Sequence, residues 1–194
     1  DDLVTGVQTC ALPIYPNIQI EKMDVTNVNE ILSLADKYEN QSIDLLINNA
    51  GMSGDRANQA WGQIDKKEFE KLMSINAFGA LKVSEAFSRN ISMSEEKKIV
   101  AISSVAGSIT SMGRPSSLPI LSISKAALNM AMKTIALRLK DDGVTVILMN
   151  PGAVDTRALR QAFGLSLEEA EKATDFDYKG YPTVSAKEGV ERMI

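Results

Sequence analysis

The stretch IDLLINNAG, residues 43–51, decides how this chain folds. Its first five residues, IDLLI, make a short run of strand length that is apolar but for Asp44. Such a run suits a strand buried on both faces of a parallel sheet. It then stops in two asparagines, an alanine and Gly51, a residue that permits a tight turn and a close approach of backbone to a neighbour. A long helical pattern comes next, from about Asp65 to about Asn90, with Phe69, Leu72, Ile75, Phe78, Leu81 and Phe87 on one side. Strand, turn and helix in that order make one βα unit.

The same unit recurs outward from it. Downstream, KKIVAIS (97–103) is a second buried strand, and SKAALNMAMKTIALRLK (124–140) is a helix of strong helix formers. VTVILMN (144–150) is a further strand, stopped by Pro151 and Gly152. SLEEAEKA (166–173) and SAKEGVERMI (185–194) read as helices. Upstream, IQIEKMDV (18–25) alternates like a strand, and NVNEILSLADKY (27–38) places Val28, Ile31, Leu32 and Ala35 at helical spacing. Alternating strands and helices predict an α/β fold with a parallel sheet covered on both faces by helices. There is no internal repeat or low-complexity tract.

Composition narrows the function classes. The 194 residues suit a single domain, and 44% hydrophobic with 24% charged residues is ordinary for a soluble protein. Net charge is −4 with no basic run, which argues against nucleic acid as a partner. Continuous apolar runs such as VTVILM are too short to span a bilayer, and no signal-peptide pattern opens the chain. One cysteine excludes a disulfide framework and fits a reducing, cytoplasmic compartment. The absence of histidine removes histidine bases and most zinc sites, so no metal is expected.

In a parallel sheet, ligands sit outside the carboxyl ends of the strands. Taken singly, the residues after each strand are bland: NNAG is a turn with capping asparagines, Ser103 and Ser104 are turn caps, and PGAVDT (151–156) is a turn. As an ordered set they are specific. Asp24-Val25, NNAG, SIN with Asn76, ISSVAG, SKAALN and PGAVDT resemble the short-chain dehydrogenase/reductase family, nearest its small carbonyl-reductase-like members, over residues 15–194. That resemblance implies a Rossmann-type doubly wound sheet, NAD or NADP as cofactor, a small-molecule carbonyl or alcohol substrate, and room for a homo-oligomer.

It also implies roles. Asp24 and Val25 would contact the adenine ring, and Asn48, Ala50 and Gly51 would line the cofactor channel. Asn76 would hold a water in a proton relay, and Ser104 would hydrogen-bond the substrate carbonyl. Lys125 would bond the nicotinamide ribose and lower the pKa of a neighbouring tyrosine. The Pro151–Gly152 turn, Val154 and Thr156 would border the cofactor, the last two at its carboxamide. Plainer readings stand beside these: Asp24 as a cap, Asn76 as a helix-bending polar residue, Lys125 as a solvated lysine.

The pattern breaks at Leu121, four residues before Lys125, where the family carries its proton-donating tyrosine. A free tyrosine titrates near pKa ~10, and a nearby ammonium is what brings it into range. Leucine has no proton to give. No other tyrosine stands four residues before a lysine, and Ser122 and Ser124 are aliphatic alcohols. This leaves a reductase weakened in its chemistry, a non-catalytic homologue that binds a nucleotide or a protein partner, and, more remotely, a Ser104–Lys125 hydrolase-like dyad. The segment 157–183, where the family sets substrate, names none.

Residues 4–14, VTGVQTCALPI, match the frame translation of a common short-read sequencing adapter. Residues 1–14, with the single cysteine, are therefore expected to be non-native, and 15–194 to be a partial NAD(P)-binding Rossmann domain. No glycine-rich turn precedes Tyr15, so the first βαβ unit is expected to be missing, the sheet to expose apolar edges, and the fragment to be inactive.

Overall fold

The computed structural model describes residues 19–112, 116–156, 159–160, 163–173, 183–185 and 187–188. The boundary expected between residues 14 and 15 and most of the helix expected over 185–194 lie outside these. At the centre are three parallel strands, β1 (Leu45–Asn48), β2 (Lys98–Ile102) and β3 (Thr145–Met149), in the order β1-β2-β3. Asn48 pairs with Ala101 and Ile102 with Met149, so all three carboxyl ends lie on one edge of the sheet.

Four of the helices have a local start signal. In α1 (Val28–Lys37), the Asn27 side chain caps the first turn by accepting from the amides of Asn29 and Glu30. Asp65 caps α2 (Lys66–Met73) through the Glu68 amide. One π-helical stretch, Ser74–Gly79, joins α2 to α3 (Ala80–Ala86), and α4 (Ser88–Ser92) follows. The long helix α5 (Pro119–Arg138) opens with proline in its first turn, where a missing amide costs nothing. Ser166 and Glu169 form a reciprocal capping box on α6 (Leu167–Lys172).

The main core lies between one face of the sheet and α3 and α5: Ile99 and Ala101 meet Ala80, Leu128, Met132 and Ile135. A second cluster, Ile31, Ala35, Val83 and Phe87, packs α1 on α3. By length and hydropathy α5 would suffice to cross a membrane, yet Leu128, Met132 and Ile135 are buried in this core.

Three details differ from expectation. The long helix is not uniform: the π turn inserts residues into the 3.6 period, so Phe78 turns outward at 43% exposure while Asn76, Ala77 and Gly79 turn in. Residues 19–24 form no strand, since no described segment pairs with them. Helices cover one face of the sheet among the described residues; on the other face Leu45, Ile47 and Ile147 stay exposed. The expected cover on both faces and burial of β1 are therefore not what the described residues make.

Candidate functional site

The carboxyl edge of the sheet gathers most of the expected residues. Asn48, Ala50 and Gly51 leave β1, Ser103 and Ser104 leave β2, and Pro151 to Thr156 leave β3. Two helices reach the same edge. The π turn carries Asn76, and α5 carries Lys125, with Leu121 one turn before it on the same helix face. A side chain built on Gly51 would stand 3.3 Å from Asn76 Oδ1 and 3.4 Å from Lys125 Nζ. Glycine thus keeps these two groups within reach of one cleft.

Asn76 is 1% exposed and fully bonded. Its Oδ1 accepts from the Met52 amide at 2.8 Å. Its Nδ2 donates to the Met52 carbonyl and to Ser124 Oγ, each at 2.9 Å. Ser124 in turn donates to the Leu121 carbonyl at 2.8 Å. Leu121's own amide donates to Gln59 Oε1 at 2.9 Å, and Gln59, completely buried, donates to the carbonyls of Ser53 and Asp55. One buried chain of bonds therefore ties the loop after β1 to the first turns of α5 at residue 121. Glu68 holds the same loop by accepting from the Asp55 amide at 2.7 Å.

The loop after β2 is clamped just as closely. A side chain on Gly107 would come within 2.7–2.9 Å of Lys125's backbone carbon, oxygen and Cβ, so only glycine lets the Val105–Gly107 turn lie on α5 here. Asn129 joins the same contact, donating to the Gly107 carbonyl and accepting from Ser103 Oγ. Sequence reasoning named none of Gln59, Glu68, Ser124, Gly107 or Asn129 as parts of the site. ISSVAG and SKAALN contain Gly107, Ser124 and Asn129, but their pairing is visible only in three dimensions.

Ser104 and Lys125 keep spare capacity. Ser104 Oγ accepts from the Ala106 amide at 3.2 Å, which leaves its own O–H free to donate. Lys125 Nζ donates to the Ile102 carbonyl at 2.8 Å and has two further N–H groups. Burial pushes the Lys125 ammonium down to about 8, with no charged neighbour contributing. Neither group bonds the other, so the hydrolase-like dyad is not assembled.

The remaining expected residues have structural partners. Asp24 accepts from Thr26's amide and hydroxyl, and Val25 packs against Gly79, where an added side chain would meet it at 3.0 Å. Asn48 donates to Ser84 Oγ at 2.9 Å. Val154 bridges to Val184, and Thr156 Oγ1 accepts from the Leu159 amide at 3.3 Å. Asp155 and Arg160 form a two-pronged ion pair at 2.7 and 3.0 Å, and Arg160 also donates to the Ala170 carbonyl, fixing this segment on α6. Gly152, at φ +76 with open space around it, is a turn that only glycine adopts without strain. Among the described residues no cluster of acids or thiols suits a metal. A cavity of about 1060 Å³ borders the start of α5 through Ser122, Ile123 and Ala126, and not through Leu121 or Lys125.

A parallel sheet with chemistry at its carboxyl edge, clamped between glycine-tight loops, defines a Rossmann-type α/β protein. The sequence profile described as short chain dehydrogenase matches residues 9–164. The chain belongs to the short-chain dehydrogenase/reductase family. It is 30% identical over 186 residues to the short chain dehydrogenase gsfK of Penicillium aethiopicum, spanning 92% of this chain and 70% of that one. Its structure is similar to a short-chain dehydrogenase/reductase from Burkholderia multivorans with bound NADP (TM-score 0.70, 29% identity, 82% of this chain, 68% of that one). It is also similar to the NADPH-bound carbonyl reductase from chicken fatty liver (TM-score 0.73, 26% identity, 92% and 68%).

Proposed function

We propose that this chain carries the carbonyl-binding half of an NAD(P)-dependent oxidoreductase for small carbonyl or alcohol substrates, with its proton-transfer step disabled at Leu121. The observation that supports this reading is the meeting of Gly51, Asn76 and Lys125 at the carboxyl edge of the sheet, the edge at which Ser104 leaves β2, with Leu121 as the aliphatic break in the series.

The residues present fit a nicotinamide nucleotide. Gly51 leaves room for close approach, Lys125 has two N–H groups to give a ribose, and the open Gly152 turn borders the same edge. Asn48, Ala50, Pro151, Val154 and Thr156 would complete that border, and Asp24 with Val25 the adenine end. When bound, such a cofactor supplies or accepts a hydride. The chain's own part is to hold and neutralise the substrate oxygen. Ser104 donates its free O–H to that oxygen, and Asn76 holds the Met52 loop and the start of α5 in register beneath it. Leu121 offers no proton at the place where the oxygen needs one.

Leu121 also favours the second reading, a homologue that binds nucleotide or a protein partner without turnover. One pair of variants separates them. In a chain supplied with a complete first βαβ unit and its glycine-rich turn, Leu121→Tyr should raise carbonyl reduction with NADH or NADPH by roughly 10²–10⁴, the usual worth of positioned acid–base catalysis, and Leu121→Phe should not. Equal, negligible rates in both variants, with cofactor bound by calorimetry, would establish the binding-only reading. A fast unmutated chain would show that another group donates the proton.

The reading includes a cytoplasmic location and self-association. Ile123, Met130 and Leu137 lie seven residues apart on the outer side of α5 and are 49%, 68% and 61% exposed. A second copy of the chain is the occupant we assign to that stripe, and sedimentation of a Met130→Lys variant should show the assembly weakened.

A further inference from the structure

We propose that the cavity at the start of α5 is a binding site for elongated apolar molecules that end in a single acid group. It is lined by neither Leu121 nor Lys125, and it does not rest on the oxidoreductase reading.

The cavity has a volume of about 1060 Å³, close to the upper end of the ~300–1,000 Å³ typical of small-molecule sites. Three segments border it: the turn around Ala57–Gln59, the loop that runs on from Val105–Gly107, and the first turns of α5. The large side chains on its wall are mainly apolar, among them Trp61, Ile109, Met112, Pro119 and Ile123. Trp61 is 95% exposed and Ile109 87% exposed, so the cavity opens to solvent and a ligand can enter. Apolar surface left in water beside a concavity is what an apolar ligand would cover.

Most polar groups of the wall are already engaged. Gln59 accepts from the Leu121 amide and donates to the carbonyls of Ser53 and Asp55. Ser108 bonds Ser111, and Ser122 donates to Ser116. Beyond the exposed Ser117 hydroxyl, what remains is Arg56. Arg56 is the one charged side chain among the described residues of the wall. It is exposed, and it makes no ion pair or side-chain hydrogen bond among the described residues. The carboxylate of its neighbour Asp55 accepts instead from the Ala57 amide at 2.8 Å. A guanidinium has only donors and matches a carboxylate with two parallel bonds. An apolar wall with one open guanidinium therefore calls for a tail and an acid head. A cationic head would be repelled.

The test uses decanoate and decyltrimethylammonium, two ten-carbon tails with opposite heads, both below their micelle concentrations. Trp61 is the chain's single tryptophan and lies on the wall, so its emission reports occupancy. The full chain is titrated with each probe while circular dichroism confirms that it stays folded. Decanoate should shift Trp61 emission to the blue and saturate, binding about three- to ten-fold tighter than the cation, as suits one exposed charge. Arg56→Gln should abolish that preference and Arg56→Glu should reverse it, with circular dichroism unchanged. Decanoate should also slow hydrogen exchange in peptides covering 56–61 and 105–112. Equal affinity of the two probes for the unmutated chain overturns the proposal, as does a preference that survives Arg56→Glu. Ile123 is shared with the stripe assigned to a second copy. An emission shift that follows chain concentration and ignores decanoate would give the cavity to that second copy and overturn the proposal as well.

Discussion

Two halves of the same cleft are built on opposite terms. On one side, Asn76, Ser124, Gln59 and the Met52 and Leu121 backbones form a closed circuit in which the side-chain groups are buried and bonded. On the other, Ser104 and Lys125 each make one bond and hold donors in reserve. A satisfied buried network rigidifies what it ties together. A group with spare donors in a partly buried cleft is what a ligand can recruit. The difference separates the frame from the groups proposed to work in it, and it puts Asn76, which family resemblance casts as a relay member, among the bonds of the frame.

Breaking the frame should have the largest effect on stability. Asn76→Leu removes partners from the Met52 amide, the Met52 carbonyl and Ser124 at once, each in or near the interior. Leaving such groups unpaired costs about 1–3 kcal/mol apiece, so a loss of roughly 2–4 kcal/mol is expected after partial rehydration. At ~2–4 °C per kcal/mol for a chain of this size, thermal unfolding by circular dichroism should show a clear fall in Tm. A variant as stable as the parent would remove the distinction between the two halves.

Lys125 tests the other half through pH. Its folded pKa, about 8, lies below that of an unfolded lysine, ~10.4. Below pH 8 both states carry the proton and the buried charge weighs fully against folding. Between pH 8 and about 10.4 the unfolded state holds more protons, so stability rises with pH, by at most ~1.4 kcal/mol per unit from this group. Lys125→Met should lack that contribution and be no less stable than the parent at pH 7. Parallel urea-unfolding curves for the two proteins from pH 7 to 10 would sink the assignment.

The smallest effect should come from outside the cleft. Lys66 and Glu70 lie one turn apart on α2, 3.4 Å from each other and largely exposed. Glu70→Ala should cost no more than about 0.5 kcal/mol. A larger loss would mean that the surface of α2, and not only its Glu68 contact to Asp55, helps to hold the frame.

The ordered segments NNAG, ISSVAG, SKAALN and PGAVDT, read with the strand and helix alternation, were enough to indicate the family, the parallel sheet and the edge at which the candidate residues gather. They could do so because strand ends and their turns are local: the residues that stop β1, β2 and β3 are the residues at the carboxyl edge of the sheet. Leu121 was legible as well, since its meaning rests on a spacing of one helical turn to Lys125. The π turn was not. A period of 3.6 carried Phe78 inward, and only packing of Gly79 on Val25 and burial of Asn76 make the extra residue worthwhile. Nor did the chain reveal Gln59, whose bonds to Ser53, Asp55 and Leu121 span up to 62 positions. Buried polar groups are recruited by whatever unpaired donor the assembled fold brings beside them. Which glutamine caps which helix turn, and which lysine is buried against the end of β2, therefore belonged to the tertiary structure alone.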